Sequence, residues 1–312
     1  MKWCIKILIV LLTVLLLFSC GMQRSTSYDN IESLNLSNQG LKRIPRSIKR
    51  CKNLVHLDLE HNQIRHIPRF IEKLDSLRSL DLNYNDLKLT KADIRHAAKV
   101  KKLSIGGNNI EKLPENIGIL QCTNLNLGKN KLSSLPASFA DLKQVHHLIF
   151  YENEFVTIPE EIAGFENLQH LDFYKNHIKE IPDFVGNYEN LRYLYLSYNE
   201  IEEIPDRLRN LKNLNYFYIH HNKILTIPNW IVEMDSLERF GVGYNKLISM
   251  PDMSEMPSLI ELNCEGNLLE EFPWKLVEKP GMQFLIVRDN LFELKEEEIE
   301  FLSQPRTLVI IF

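Results

Sequence analysis

Imidazoles and phenols recur at regular intervals in this chain, and both could do chemistry. His147, His170, His220 and His221 alternate along the sequence with Tyr151, Tyr174, Tyr193, Tyr195, Tyr198, Tyr216, Tyr218 and Tyr244. A second group, His56, Asp58, Glu60 and His61, falls within six residues. On a strand, successive side chains point to opposite faces, so His56, Asp58 and Glu60 would point the same way. His147 and His170 would stack on neighbouring strands, and two stacked imidazoles are two of the ligands a zinc ion needs. The sequence fixes no third ligand. Catalysis needs paired groups in a pocket that excludes water, and no glycine-rich phosphate loop, nucleophile elbow or paired-carboxylate motif occurs. No catalytic residue, metal ligand or cofactor is therefore assigned. What remains is recognition.

The elements that must position these residues come from a repeat. One asparagine slot recurs at Asn62, Asn85, Asn108, Asn130, Asn153, Asn176, Asn199, Asn222, Asn245, Asn267 and Asn290, with Gln39 in the same slot of the first unit. The steps are 23 residues, twice shortened to 22, a period that reads as a solenoid. The unit is L-x-x-L-x-L-x-x-N-x-L followed by L/I-P-x-x-I-x-x-L, as in Leu191 to Leu211. Alternation around Leu194 and Leu196 predicts one short strand per unit. All strands then run the same way in a parallel sheet with right-handed connections.

Asparagine both donates and accepts, so it can satisfy backbone groups in its own bend and in the adjoining coil. Aspartate could not donate. The return opens on proline in ten units, the first of them Pro45 and Pro68, which suits the first position of a helical turn. Apolar residues then recur every third position (Ile162, Phe165, Leu168), the spacing of a 3₁₀ or irregular helix. One unit lacks the proline, and Thr90 with Asp93 predicts a capped helix running to about Ala98. Near the end, Glu296 to Glu298 fall on an expected helix, and Thr307–Phe312 reads as a thirteenth strand whose bare edge either closes the core or pairs with another chain.

These motifs resemble the leucine-rich repeat superfamily, in the 23-residue form found in bacterial repeat lipoproteins and intracellular Ras-group repeats. The resemblance covers residues 31–312 and implies an α/β fold: a horseshoe-shaped solenoid with a parallel concave sheet of 12–13 short strands and helical turns on its convex side. It implies little about a ligand, because fold does not fix function.

In such solenoids the concave surface carries the strand residues that are not core. Nine of the eleven tyrosines and six of the ten histidines fall on those slots. Preference for strands alone would also enrich Val, Ile and Thr there, and these are nearly absent. Tyrosine offers large contact area at low entropic cost. The twelve residues named first are therefore the expected ligand-binding set, for a protein or peptide partner or, alternatively, for a glycan of the cell envelope.

Composition narrows the setting. Thirty-seven basic against 41 acidic residues, evenly scattered, argue against nucleic acid, which needs a concentrated positive face. Lys2 and Lys6 precede an apolar run from Ile7 to Phe18, too short to span a bilayer and suited to a secretory signal. Leu17-Phe18-Ser19-Cys20-Gly21 resembles the lipobox of bacterial lipoproteins. This implies a signal at 1–19, acylation of Cys20, a tether over 20–30 and an outer-membrane-anchored protein facing the periplasm or the surface. Cys51, Cys122 and Cys264 occupy core slots of separated coils and read as small hydrophobes rather than a redox or metal set. Oligomeric state stays open.

Overall fold

The computed structural model describes residues 28–304 and 307–312. The expected signal peptide, Cys20 and most of the tether lie outside them. The last three residues of that expected tether do have structure. Tyr28–Asn30 form a 3₁₀ turn, Ile31 N–H donates to Tyr28 O at 3.3 Å, and the Arg50 guanidinium sits 5.6 Å from the Tyr28 ring centre. The exposed Arg50 thus packs on a turn formed by residues whose composition alone suggests coil.

Each unit of the repeat yields one three-residue strand. They are β1 (Ser33–Asn35), β2 (His56–Asp58), β3 (Ser79–Asp81) and β4 (Lys102–Ser104). The series continues with β5 (Asn124–Asn126), β6 (His147–Ile149), β7 (His170–Asp172), β8 (Tyr193–Tyr195) and β9 (Tyr216–Tyr218). It ends with β10 (Arg239–Gly241), β11 (Glu261–Asn263), β12 (Phe284–Ile286) and β13 (Val309–Ile311). The strands follow chain order and run parallel. The chain divides into two compact units. One extends up to Asn108 and includes Ile119–Cys122; the other comprises Asn109–Gly118 and Thr123–Phe312.

The core follows from the period. The middle residue of each strand from β1 to β12 is buried, as is the apolar residue two positions on, such as Leu57 with Leu59 and Leu194 with Leu196. In the second unit phenylalanine takes some of these slots, such as Phe150 and Phe173, and further core positions in the bend and return. Phe139, Phe150, Phe155, Phe165 and Phe173 are fully buried, with ring centres 5.0–6.0 Å apart. Cys51, Cys122 and Cys264 are buried and form no disulfide among the described residues, and burial pushes the Cys122 and Cys264 thiols up to about 12.

The asparagines work in both directions expected of an amide. Asn199 Nδ2 donates to Leu196 O at 3.0 Å in its own bend and to Phe173 O at 2.9 Å in the preceding coil. Its Oδ1 accepts from Ile178 N–H at 2.9 Å. Asn85 repeats the pattern on Leu82 O, Leu59 O and Ile64 N–H. Gln39 does not. It is exposed, and its amide donates to Ser37 O, two residues back.

The proline expectation needs correction. Pro45, Pro68, Pro136, Pro159, Pro182, Pro205 and Pro228 precede the 3₁₀ turns as extended residues (ψ 132–152°) rather than beginning them. Each carbonyl accepts the first turn bond, as Pro68 O does from Ile71 N–H at 3.0 Å. The fixed φ of proline serves an extended approach as well as a helical one. Pro251 precedes no helix. Helix α1 (Lys91–Ala97) starts at the Thr90–Asp93 capping box, as expected. The other helices among the described residues are α2 (Trp274–Val277) and α3 (Glu296–Leu302). Among the described residues no helix is long and apolar enough to cross a membrane.

Candidate functional site

In the second unit, strand register sets the exposed side chains in rows. One row runs His147, His170, Tyr193, Tyr216, Arg239, Glu261. The next, two residues along each strand, runs Ile149, Asp172, Tyr195, Tyr218, Gly241, Asn263. Their rings touch within and between rows. His170 lies 5.6 Å from Tyr193 and 5.0 Å, edge-on, from Tyr195. Tyr193 meets Tyr216 edge-on at 5.1 Å, Tyr195 meets Tyr218 at 5.6 Å, and Tyr218 stacks on His220 at 5.6 Å. Edge-to-face and offset geometries are those the ring quadrupole favours.

A third set of rings stands at the rim of the sheet. The residue just before each asparagine has positive φ, between 50° and 64°, in every unit. Left-handed backbone costs a bulky residue roughly 1–2 kcal/mol, yet Tyr198, His221 and Tyr244 occupy it. Their rings stack at 4.0 and 4.3 Å. Tyr174 meets Tyr198 edge-on at 5.2 Å. The far end of the ladder needs Gly266, because a Cβ there would come within 2.5 Å of the Tyr244 ring. Stacking offsets the backbone cost.

Between ladder and rows lies an open depression of about 620 Å³. Tyr174, Tyr195, Tyr198, Tyr218, His220, His221 and Tyr244 line it, with Asp172, Ser197, Asn263 and Glu265. Glycine makes part of the room, since a Cβ on Gly241 would run into the His220 imidazole. Burial pulls the His220 imidazole down to about 4, helped by neighbouring His221, and its Nδ1 accepts from Gly243 N–H at 3.1 Å, which requires the neutral ring. Burial, with His147 beside it, likewise holds His170 at about 4; its Nε2 is buried without a hydrogen-bond partner. Burial pushes the Tyr195 phenol up to about 12. Near neutral pH these rings are uncharged.

Asp172 is the contrast. Burial pushes its carboxyl up to about 6 against the Tyr174 N–H, which donates to Oδ1 at 2.8 Å, so it is ionised at pH 7. Glu265 is also acidic but is held by Arg288 Nε at 2.6 Å and by the Asn263 amide at 3.2 Å.

The leucine rich repeat family model matches residues 29–87, 174–224 and 189–247. A leucine-rich repeat protein of Leptospira interrogans superposes with a TM-score of 0.58 at 22% identity, over 93% of this chain and all of that one. An internalin of Listeria monocytogenes gives 0.62 at 17% identity, over 90% and 93%. A chain of an octameric complex of Latrophilin 3, Unc5D and FLRT2 gives 0.70 at 21%, over 88% and 87%. The chain is a leucine-rich repeat protein. Its sequence finds no significant match among curated proteins.

Within this leucine-rich repeat protein, seven of the twelve expected residues line the depression, and His147, His170, Tyr193 and Tyr216 join the ring rows beside it. Tyr151 stands apart: its ring lies over Gly128, where a Cβ would collide with it. Four lining residues were not in the expected set. Asp172 and Ser197 sit in the same slots as the tyrosines but carry no ring, the signal that marks the others. Asn263 and Glu265 follow a 22-residue step, and counting slots across that step would have found them.

The other imidazole groups do not gather into centres. His147 and His170 are 5.8 Å apart with rings tilted by 50°. In the first unit His61 stacks on Tyr84 at 4.4 Å, and Asp58 Oδ2 accepts from the Asn35 amide at 2.7 Å. Among the described residues no three or more His, Cys, Asp or Glu side chains are grouped to hold a metal ion.

Proposed function

We propose that this leucine-rich repeat protein is a binding protein that captures a protein or peptide partner on the tyrosine and histidine face of β7–β10. One observation carries the reading: rings that add nothing to the core stand half-exposed and in mutual contact around a depression. Proteins of this fold commonly bind protein partners, and the FLRT2 complex is one such assembly. Glycan binding draws less support. A sugar needs a free flat ring face, and the faces of Tyr198, His221 and Tyr244 are spent on one another. Central aromatics dominate protein contacts. The double variant Tyr195→Ala, Tyr218→Ala should therefore lose the partners that wild-type protein retains from envelope extract. Retention of the same partners at the same yield would refute the face, and glycan-array signal that falls in this variant would favour the sugar.

The setting belongs to the same proposal. Leu17-Phe18-Ser19-Cys20 supports a lipid anchor on Cys20 and an outer-membrane lipoprotein. Cys20→Ser should move the protein out of the membrane fraction and abolish incorporation of labelled palmitate. Unchanged labelling would remove the anchor from the reading.

A further inference from the structure

The depression combines aromatic faces with a carboxylate that lacks a cation. Asp172 makes no ion pair among the described residues, and its Oδ2 accepts no hydrogen bond from them; Oδ1 takes the Tyr174 N–H. The basic side chains nearby in the repeat are already paired with acids, and Arg239 also bonds the Tyr218 phenol at the edge of the site. Lys175 faces Glu152 at 3.6 Å, Arg239 faces Glu261 at 3.1 Å, and Arg288 faces Glu265 at 2.6 Å. No lysine or arginine lines the depression. Among the lining residues the unpaired charge is that of Asp172, and the walls are phenol rings whose faces carry the negative part of the quadrupole. An ammonium group within about 6 Å of such a ring is attracted to it, more strongly where water is partly excluded. A lone carboxylate is a poor site for a hard metal ion, which takes six or more oxygens. It suits a single organic cation.

We propose that the depression between Asp172, Tyr195 and Tyr218 receives the ammonium group of a lysine side chain on the protein or peptide partner. The alkyl stem lies along the rings and the charge meets Asp172 Oδ2. This rests on the binding face proposed above and names what that face selects.

The probes are two end-capped tripeptides, Gly-Lys-Gly and Gly-norleucine-Gly, which differ by the charged group at nearly equal length. Each is titrated into the intact protein while tyrosine ring resonances are followed by NMR. Lysine should bind at least about tenfold more tightly than norleucine, the worth of one desolvated cation contact. In Asp172→Asn, which keeps the side-chain shape, the two peptides should bind alike. Equal affinities in the wild type, no binding of either peptide, or a lysine preference that survives unchanged in Asp172→Asn would each overturn the proposal. Those results leave the pull-down with the tyrosine variant to decide the face separately, so the two readings fail by different measurements.

Discussion

Asp81 on β3 and Asp172 on β7 occupy the same slot of the repeat and end in different chemistry. Each accepts the backbone N–H two residues on, at 2.9 and 2.8 Å, and each carboxyl is pushed up to about 6, first by burial. Beyond that they part. Asp81 is flanked by Asp58, its register partner, and by Glu60, whose negative charges add to its shift. Polar groups there satisfy one another: Asn35 donates to Asp58 at 2.7 Å, and Asn83 accepts from Gly106 N–H at 2.7 Å. Asp172 has Tyr195 as its register neighbour and keeps one oxygen free of hydrogen bonds among the described residues. The coil therefore fixes where a carboxylate stands, while the neighbouring strands decide whether it is already answered or waits for a ligand.

If the scaffold is equivalent in the two regions, damage to it should cost the same in both. Asn85 and Asn199 are buried and hold matching sets of carbonyls and one N–H. Replacing either by aspartate turns a donor into a charge facing three carbonyl oxygens. Asn85→Asp and Asn199→Asp should each lose roughly 3 kcal/mol or more, the cost of an uncompensated buried charge. Urea unfolding at pH 7 measures it. A loss in one variant only would break the equivalence on which the comparison stands.

How much of this was legible beforehand follows the same division. Burial of Leu194 and Leu196, the two-way bonding of Asn199 and the capped start of α1 at Thr90 all follow from local period and side-chain valence, which a sequence displays. The left-handed backbone at Tyr198 and Tyr244 was not legible, because bulky residues disfavour it; the bend has this conformation in every unit, and ring stacking between neighbouring coils offsets its cost here. That Tyr151 lies outside the depression was not legible either. Its slot matches those of Tyr174 and His220, but Gly128 opens space on the other side and its ring fills that space. The free oxygen of Asp172 depends on which ions pair across coils, a choice that composition does not record.

The smaller effect separates the two aspartates by the source of their shifts. A carboxyl raised in the folded state makes folding tighter while protonated, so its contribution is present below the unfolded value of 3.8 and is lost as pH rises to about 6. Asp81→Asn and Asp172→Asn should therefore each remove a decline in stability between about pH 4 and 6, and each should be more stable at pH 7, by at most about 3 kcal/mol at Asp172 and by less at the more exposed Asp81, where solvent screens the effect. Stability curves from pH 3.5 to 7 check this, and a slope left intact in either variant would deny that aspartate its shift. Salt then distinguishes them. In 1 M salt the Debye length falls to about 3 Å, which screens Asp58 and Glu60 from Asp81 but leaves burial untouched. The Asp81 carboxyl should move down by a few tenths of a pH unit, whereas Asp172, raised by burial without a charged neighbour among its causes, should hold. Carboxyl carbon titration by NMR at low and high salt resolves both. A matching fall at Asp172 would mean that an unpaired negative charge acts on it too, and the aromatic depression would then owe its acidity to more than one group.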